Sequence, residues 1–394
     1  MLRPFPRLMI VTIVAQTVVS GLRPLLSYEA LALDASATEL GVLTASFSVV
    51  SLVVAVPLGR AVDRWGERPF LTVGLFVMAV VSLSLLAPQR LTSLVAGSAL
   101  LGLGHLGTML GIQTLIARTE DGAQRDRRFS VFTIVNSTGQ MFAPAAAGLL
   151  AGHVGSTDAA TSSFSGSRAF AAAAIAAALG LAASVGLGRS PRSRGGRASR
   201  AVRLPRGGFR TVLKVPSMPN ALLASFTVLS SIDLLGAYLP AYGAQRGLSV
   251  RTVGLLLAAQ GAASLTARVG MLRLIRLLTR RRLLSLSMLV AAGGLAALPL
   301  VDQLPGLCLL MVVIGFGLGL GQPITLAWVA EHAPDGLQGT SMSMRLGGNL
   351  LGQTLVPVTV GAVAGATGLA AAFLSPAVLL ATAGFFVFRS RLRE

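Results

Sequence analysis

Apolar residues in this chain come in long unbroken runs, separated by short stretches rich in arginine and small polar residues. The runs cover 8–28, 39–58, 70–87, 93–116, 129–151, 168–187, 219–241, 249–271, 283–301, 305–330, 340–363 and 368–388. Each is close to the roughly 20 residues that a helix needs to cross the hydrocarbon core of a bilayer. Apolar and polar side chains do not alternate along them, which predicts helices and argues against a membrane β-barrel. Twelve spans follow. The sixth, AFAAAAIAAALGLAASVGLG, depends on neighbouring helices because alanine contributes little insertion energy. The first follows Arg3 and Arg7, as the apolar core of a signal peptide would. It continues to about Leu26, too long for such a core, and reads as an uncleaved span.

Composition supports this pattern. Of 394 residues 53% are hydrophobic and 12% charged, with a mean hydropathy of +0.75. One soluble core could not hide so much apolar surface. The net charge of +19 does not point to nucleic acid, because aromatic residues make up only 5% and offer no stacking platform for bases. The basic residues lie between and beside the runs instead. With twelve spans, the connections on the side of both termini hold 26 Lys and Arg, and those on the other side hold 4. The positive-inside rule then places both termini in the cytoplasm of a multi-pass protein of the cell (inner) membrane. The stretch 189–220 carries nine basic and no acidic residues among Gly, Ser and Pro. It reads as a flexible linker lying on anionic head groups. The expected organisation is an N-terminal six-helix bundle (1–188), a basic cytoplasmic linker (189–218) and a C-terminal six-helix bundle (219–394).

A constant offset of 213 residues relates the halves. Asn136, Gly139, Gln140, Pro144 and Gly148 fall on Asn349, Gly352, Gln353, Pro357 and Gly361. At the same offset Gly102 and Gly104 fall on Gly315 and Gly317, and the basic segment 59–69 falls on 272–282. Such symmetry is the mark of a duplicated transporter. The Asn–Gln–Pro–Gly positions of spans 5 and 11 are candidate hinges.

At this point the whole chain resembles the major facilitator superfamily. The resemblance rests on two six-span halves, a long basic central loop, and Gly59, Asp63, Arg64, Gly66 and Arg68 between spans 2 and 3. These are similar to the family's Gly-x-x-x-Asp-Arg-x-Gly-x-Arg signature, with Glu67 where a basic residue is usual. The resemblance implies an all-α integral membrane fold of twelve transmembrane helices in two pseudo-symmetric bundles. It also implies a cytoplasmic latch in which Asp63 faces the start of span 11 near Thr340. Gly59 and Gly66 would permit tight turns and close helix approach. Gly139, Ala143, Pro144, Ala147 and Gly148 also resemble the span-5 pattern of drug/proton antiporters, with two glycines replaced by alanine. The second half's copy of the loop has Arg276 in place of the acid, and Ser98 stands where span 4 often has arginine.

An ionisable group at membrane depth is costly and a functional candidate. Asp233, near the middle of span 7, is the deepest acid and the candidate for proton coupling. Arg23, in the outer half of span 1, either faces the central cavity, where it can meet Asp233, or snorkels to the outer head groups. His105, Gln16, Gln113, Tyr238, Gln322 and Trp328 are further cavity candidates. Arg268 and Arg345 read as snorkelling or latch residues rather than substrate ligands. The single cysteine, Cys308, and the scattered His105, His153 and His332 show no metal-ligand spacing. Neither a phosphate-binding Gly-x-x-x-x-Gly-Lys-Ser/Thr run nor a nucleophile–base pair is present, so ATP drive and enzymatic activity are not expected. The expected function is secondary transport of a small solute by alternating access, most simply proton-coupled export. The alternatives are import of a small organic anion and a non-transporting sensor or scaffold. The expected protein is a monomer among membrane lipids, needing no cofactor beyond the proton gradient.

Overall fold

The twelve long helices form. The structure is a computed structural model describing residues 4–87, 89–117, 122–151, 166–185, 208–215, 218–334 and 338–389. In chain order the helices are α1 (Pro4–Ala32), α2 (Ala37–Trp65), α3 (Glu67–Ser84), α4 (Leu91–Ala117), α5 (Gly122–Leu150) and α6 (Ser167–Val185). A short α7 (Gly208–Lys214) precedes α8 (Met218–Gln245), α9 (Val250–Leu277), α10 (Arg280–Ala297), α11 (Leu304–His332), α12 (Gln338–Thr367) and α13 (Ala371–Arg389). Among the described residues there is no strand. Eleven of the helices are long and apolar enough to cross a membrane. In α5 the polar run Asn136–Gln140 lowers the hydropathy. Val53, Val73, Phe76, Ile175, Leu179 and Leu309 are more than half exposed, as side chains facing lipid are.

Several helices outrun the apolar stretches, which corrects the expected connections. The segment 59–69 is helical apart from one residue: α2 continues to Trp65, Gly66 turns the chain with φ 88°, and α3 opens at Glu67. The connection expected at 118–128 is helical from Gly122, and that at 272–282 shrinks to Leu278 and Thr279. Arginine is a good helix former, and its stem lies along apolar surface while its head reaches water. Charge therefore ends no helix here. A left-handed glycine does so at Gly66, and an N-cap does so at Thr279, whose side chain accepts from the Arg282 amide. Part of the basic stretch expected to be flexible is the helix α7, which packs on α12 with Val212 fully buried.

The chain divides into two compact units. One comprises Met1–Ala35, Ser46–Ser199 and Pro240–Ala258; the other comprises Ser36–Ala45, Arg200–Leu239 and Ala259–Glu394. In the first, α1 packs on α4, α5 and α6, and α3 packs on α4 and α6. In the second, α10 packs on α11 and α13, and α12 packs on α11 and α13.

The 213-residue offset extends to contacting pairs. A methyl group on Gly102 would come 1.8 Å from the Phe47 carbonyl oxygen, and one on Gly315 would come 2.2 Å from that of Gln260. Gly104 meets the Gly74 carbonyl at 2.8 Å in the same way, and Gly317 meets that of Ser287 at 2.5 Å. Gly41 presses on the Pro357 carbonyl at 2.4 Å, and Gly254 on that of Pro144 at 2.5 Å. In every case both members of one pair lie 213 positions from both members of the other. The turns repeat as well. Asp34 and Gly247 take positive φ of 58° and 67°. The caps of the next helices are Ser36, bonded to Glu39, and Ser249, bonded to Thr252.

Candidate functional site

Each unit holds a polar cluster inside an otherwise apolar bundle. In the first, α1 carries Thr12, Gln16, Ser20 and Arg23 at helical spacing, which places them on one face. Gln16 is buried and its amide donates to Ser20 Oγ at 2.8 Å. The Arg23 guanidinium lies 4.7 Å from the centroid of the Phe47 ring, a cation–π contact. Arg23 is thus engaged with α2, and both it and Phe47 are partly buried. The Phe47 ring in turn lies 6.0 Å from the His105 imidazole, whose Nε2 is shielded and has no hydrogen-bond partner among the described residues. The lack of a side chain at Gly102 is what lets α4 approach Phe47 of α2 closely enough to bring His105 there. Gln113 is exposed, eight residues further along α4, and does not join this cluster.

In the second unit the cluster joins α8, α11 and α12. Arg345 on α12 donates to Gln322 Oε1 at 2.6 Å and to the Gln322 carbonyl at 3.3 Å, with Thr325 Oγ1 at 3.5 Å. Gln322 donates to the Ser225 carbonyl at 3.3 Å, and Ser225 donates to Asn349 Oδ1 at 2.9 Å. Arg345 turns toward α11, which carries both of its partners, rather than toward the helix end as a snorkelling side chain would. Arg268 is likewise turned inward, its Nε donating to the Gly319 carbonyl at 3.1 Å. Sequence reasoning undervalued Arg345. The missed signal was its spacing of four from both Ser341 and Asn349, which makes one polar stripe along α12.

Asp233 is 5% exposed within α8. It lies 15 residues from Met218, about 22 Å along a helix of about 42 Å, and so near mid-depth. Trp328 is buried beside His332, with its indole Nε1 unbonded among the described residues. Tyr238 is fully buried, and its hydroxyl donates to the carbonyls of Ala37 and Pro357 at 3.0 and 3.5 Å. That hydroxyl is taken up by helix packing, which gives Tyr238 a role in locking helices. Arg23 and Asp233 belong to different units.

The hinge residues are mostly contact residues. Gly139 sits against Gln16, and Gly352 against Phe226 and Ser230. Gly148 packs on Val250 and Gly254, and Gly361 on Ala37 and Gly41. Asn349 is buried in the Ser225 bond, whereas Gln140 is exposed and Asn136 and Gln353 are partly exposed. In the latch motif Gly66 makes the expected turn. Among the described residues nothing lies within 4 Å of a would-be methyl group on Gly59. Arg64 is exposed and Arg68 partly buried; the Asp63 side chain lies outside the described residues. Outside the spans, the Arg280 guanidinium bonds Glu331 and holds its carboxyl below the usual carboxylate range.

Comparison with known proteins agrees with this architecture. The family model described as Major Facilitator Superfamily matches residues 8–277 and again 222–394, and the chain belongs to that family. A crystal structure of a variant of the nucleoside transporter NupG is similar, with a TM-score of 0.80 and 14% identity over 99% of this chain and 100% of that one. The inward-open xylose transporter XylE of E. coli has a TM-score of 0.76 and 16% identity over 99% and 97% of the two chains. The human organic anion transporter TETRAN has a TM-score of 0.68 and 18% identity over 98% and 99%. The efflux pump azaK of Aspergillus niger is 28% identical over 110 residues. That match takes in 28% of this chain and spans 23% of the length of the pump. The chain is thus a multi-pass membrane transporter and not an enzyme.

Proposed function

We propose that the chain is a secondary active transporter that exports a small solute across the cytoplasmic membrane by alternating access, with protons as the coupling ion. The observation that carries this reading is Asp233, a buried carboxyl near the middle of α8 in an apolar bundle. A charge there is expensive. A carboxyl at that depth is a candidate carrier of the coupling ion, because alternating access would expose it to each face of the membrane in turn. Export is favoured by Pro144 and Gly148 of the span-5 pattern, which form a real helix contact with Gly254, and by the partial likeness to a fungal efflux pump. The protein works as a monomer in lipid, with both termini cytoplasmic and the proton gradient as its energy source. The inward-turned Arg23 and Arg345 favour a second reading, import of an organic anion, and transport measured from each side of vesicles of known orientation separates the two.

The test is Asp233→Asn in proteoliposomes under an imposed pH gradient. Gradient-driven transport is lost while exchange of solute persists. A variant whose transport keeps the wild-type pH dependence removes Asp233 as the coupling group.

A further inference from the structure

Among the described residues the Arg345 cluster holds neutral polar groups and no anion. Arg345 bonds only Gln322 and Thr325, which are neutral, and among the described residues no carboxylate pairs with it. Its Nε is shielded and unbonded among the described residues, as are the Trp328 indole Nε1 and the Ser341 hydroxyl. Ser341, Arg345 and Asn349 follow one another at intervals of four on α12. Gln322, Thr325 and Trp328 follow at intervals of three on α11. The two stripes meet where Arg345 bonds Gln322 and Thr325. Buried polar atoms are nearly always paired, and each exception needs a cause. A partly buried guanidinium held only by neutral groups has no facing anion to offset its loss of water, which is costly. Arg345 lies seven residues inside α12, about 10 Å from its first residue, beyond easy reach of the helix end. Arg345 and Gln322 nonetheless stay partly exposed, so a solute can touch them.

We infer that Arg345, with Trp328 three residues beyond its partner Thr325 on α11, forms a subsite for the anionic group of the transported solute, so that the substrate is a small organic anion such as a carboxylate or phosphonate. The planar fork of arginine suits a two-oxygen acceptor, and Gln322 fixes the fork by holding one terminal nitrogen. The Trp328 Nε1 adds a neutral donor, and its ring adds an apolar wall. This assignment rests on the transporter reading above and names the chemistry of its solute.

The experiment uses the full-length protein in a neutral detergent and a thermal-shift panel of matched pairs: benzoate and benzamide, salicylate and salicylamide, butyrate and butyramide, and phenylphosphonate and phenol. Short-chain phosphatidylglycerol is included as the lipid source of the same chemistry. At least one acid raises the unfolding temperature, while its neutral partner does not. Arg345→Met weakens that binding by about 10- to 100-fold, the usual worth of a hydrogen bond to a charged group. Trp328→Phe weakens it less, and Arg345→Lys, which keeps the charge but loses the fork, gives an intermediate loss and controls for folding. The inference is overturned if neutral members protect as well as acids, if Arg345→Met and Arg345→Lys both bind like wild type, if no acid protects, or if only the lipid does. Counterflow of the protecting acid in proteoliposomes tests the underlying reading separately. Binding without counterflow defeats the transporter reading and keeps the subsite. Counterflow of a neutral solute that is indifferent to Arg345 does the reverse.

Discussion

Gly102→Ala perturbs the closest helix approach in the first unit. A methyl group there would stand 1.8 Å from the Phe47 carbonyl oxygen, against 3.4 Å for ordinary contact. The obstacle is backbone, and the Phe47 carbonyl carbon and Cα follow at 2.7 and 3.1 Å, so no side chain can swing aside. Helices α2 and α4 must separate by more than an ångström, and the Phe47–His105 ring contact opens with them. Overpacking of this kind costs about 1–3 kcal/mol, and backbone against backbone belongs at the upper end. For a unit of this size each kcal/mol moves the midpoint by roughly 2–4 °C, so the expected loss is about 4–10 °C. Gly315→Ala, the equivalent change against Gln260 in the other unit, lowers it similarly, and the double variant loses about the sum, since the sites share no partner. Gly293→Ala is the control: α10 is open there, with nothing within 4 Å of the added methyl group, and alanine favours helix. Midpoints are read by thermal unfolding of purified protein in detergent. A Gly102→Ala protein within a degree of wild type, or a Gly293→Ala protein as damaged as Gly102→Ala, refutes the packing argument.

Other outcomes are as specific. Tyr238→Phe removes the bonds to the Ala37 and Pro357 carbonyls and lowers stability by about 1 kcal/mol, read as a denaturation midpoint; a gain in transport with no loss of stability contradicts the locking role. Gly254→Ala meets the Pro144 carbonyl at 2.5 Å and Gly41→Ala meets that of Pro357 at 2.4 Å, so the two variants slow transport to a similar degree; damage from only one of them breaks the equivalence of the repeats. Glu331 is about half exposed, so its pair with Arg280 contributes at most about 1 kcal/mol. Its carboxyl titrates below the ordinary range because of Arg280, so the contribution is complete above the unfolded carboxylate pKa and disappears as pH falls through the lower folded value. The stability gap between wild type and Glu331→Gln therefore closes on acidification, and a gap that widens instead contradicts that assignment.

Much of the fold was legible because lipid imposes a simple code. Run length located all twelve long helices, and the polar Asn136–Gln140 run did not hide α5, since Phe132, Ala143 and Ala147 still mark a buried face. The duplication was legible in Asn136, Pro144 and Gly148, residues that composition alone does not repeat. Hydropathy misplaced the helix ends at Trp65, Gly122 and Leu277, because it registers where arginine begins and the backbone ladder continues past that point. Burial was partly legible: depth in a span picked out Asp233, which is buried within α8, and His105, whose Nε2 is shielded. Arg345 was misread because nearness to a helix end does not reveal which way a side chain turns. Its direction is set by Gln322, whose partnership needs the contact of α11 with α12. The Tyr238 hydroxyl bond was hidden for the same reason, since its partner Ala37 is distant in sequence and adjacent in space.

Solute counterflow in proteoliposomes tests the central claim most directly, because exchange across a membrane without net driving force requires one binding site exposed to each side in turn. With the protein reconstituted and preloaded with the compound that stabilises it, external labelled solute accumulates transiently above equilibrium, and it does so in Asp233→Asn as well. Monodisperse protein that binds the compound yet shows no overshoot in either form contradicts the account.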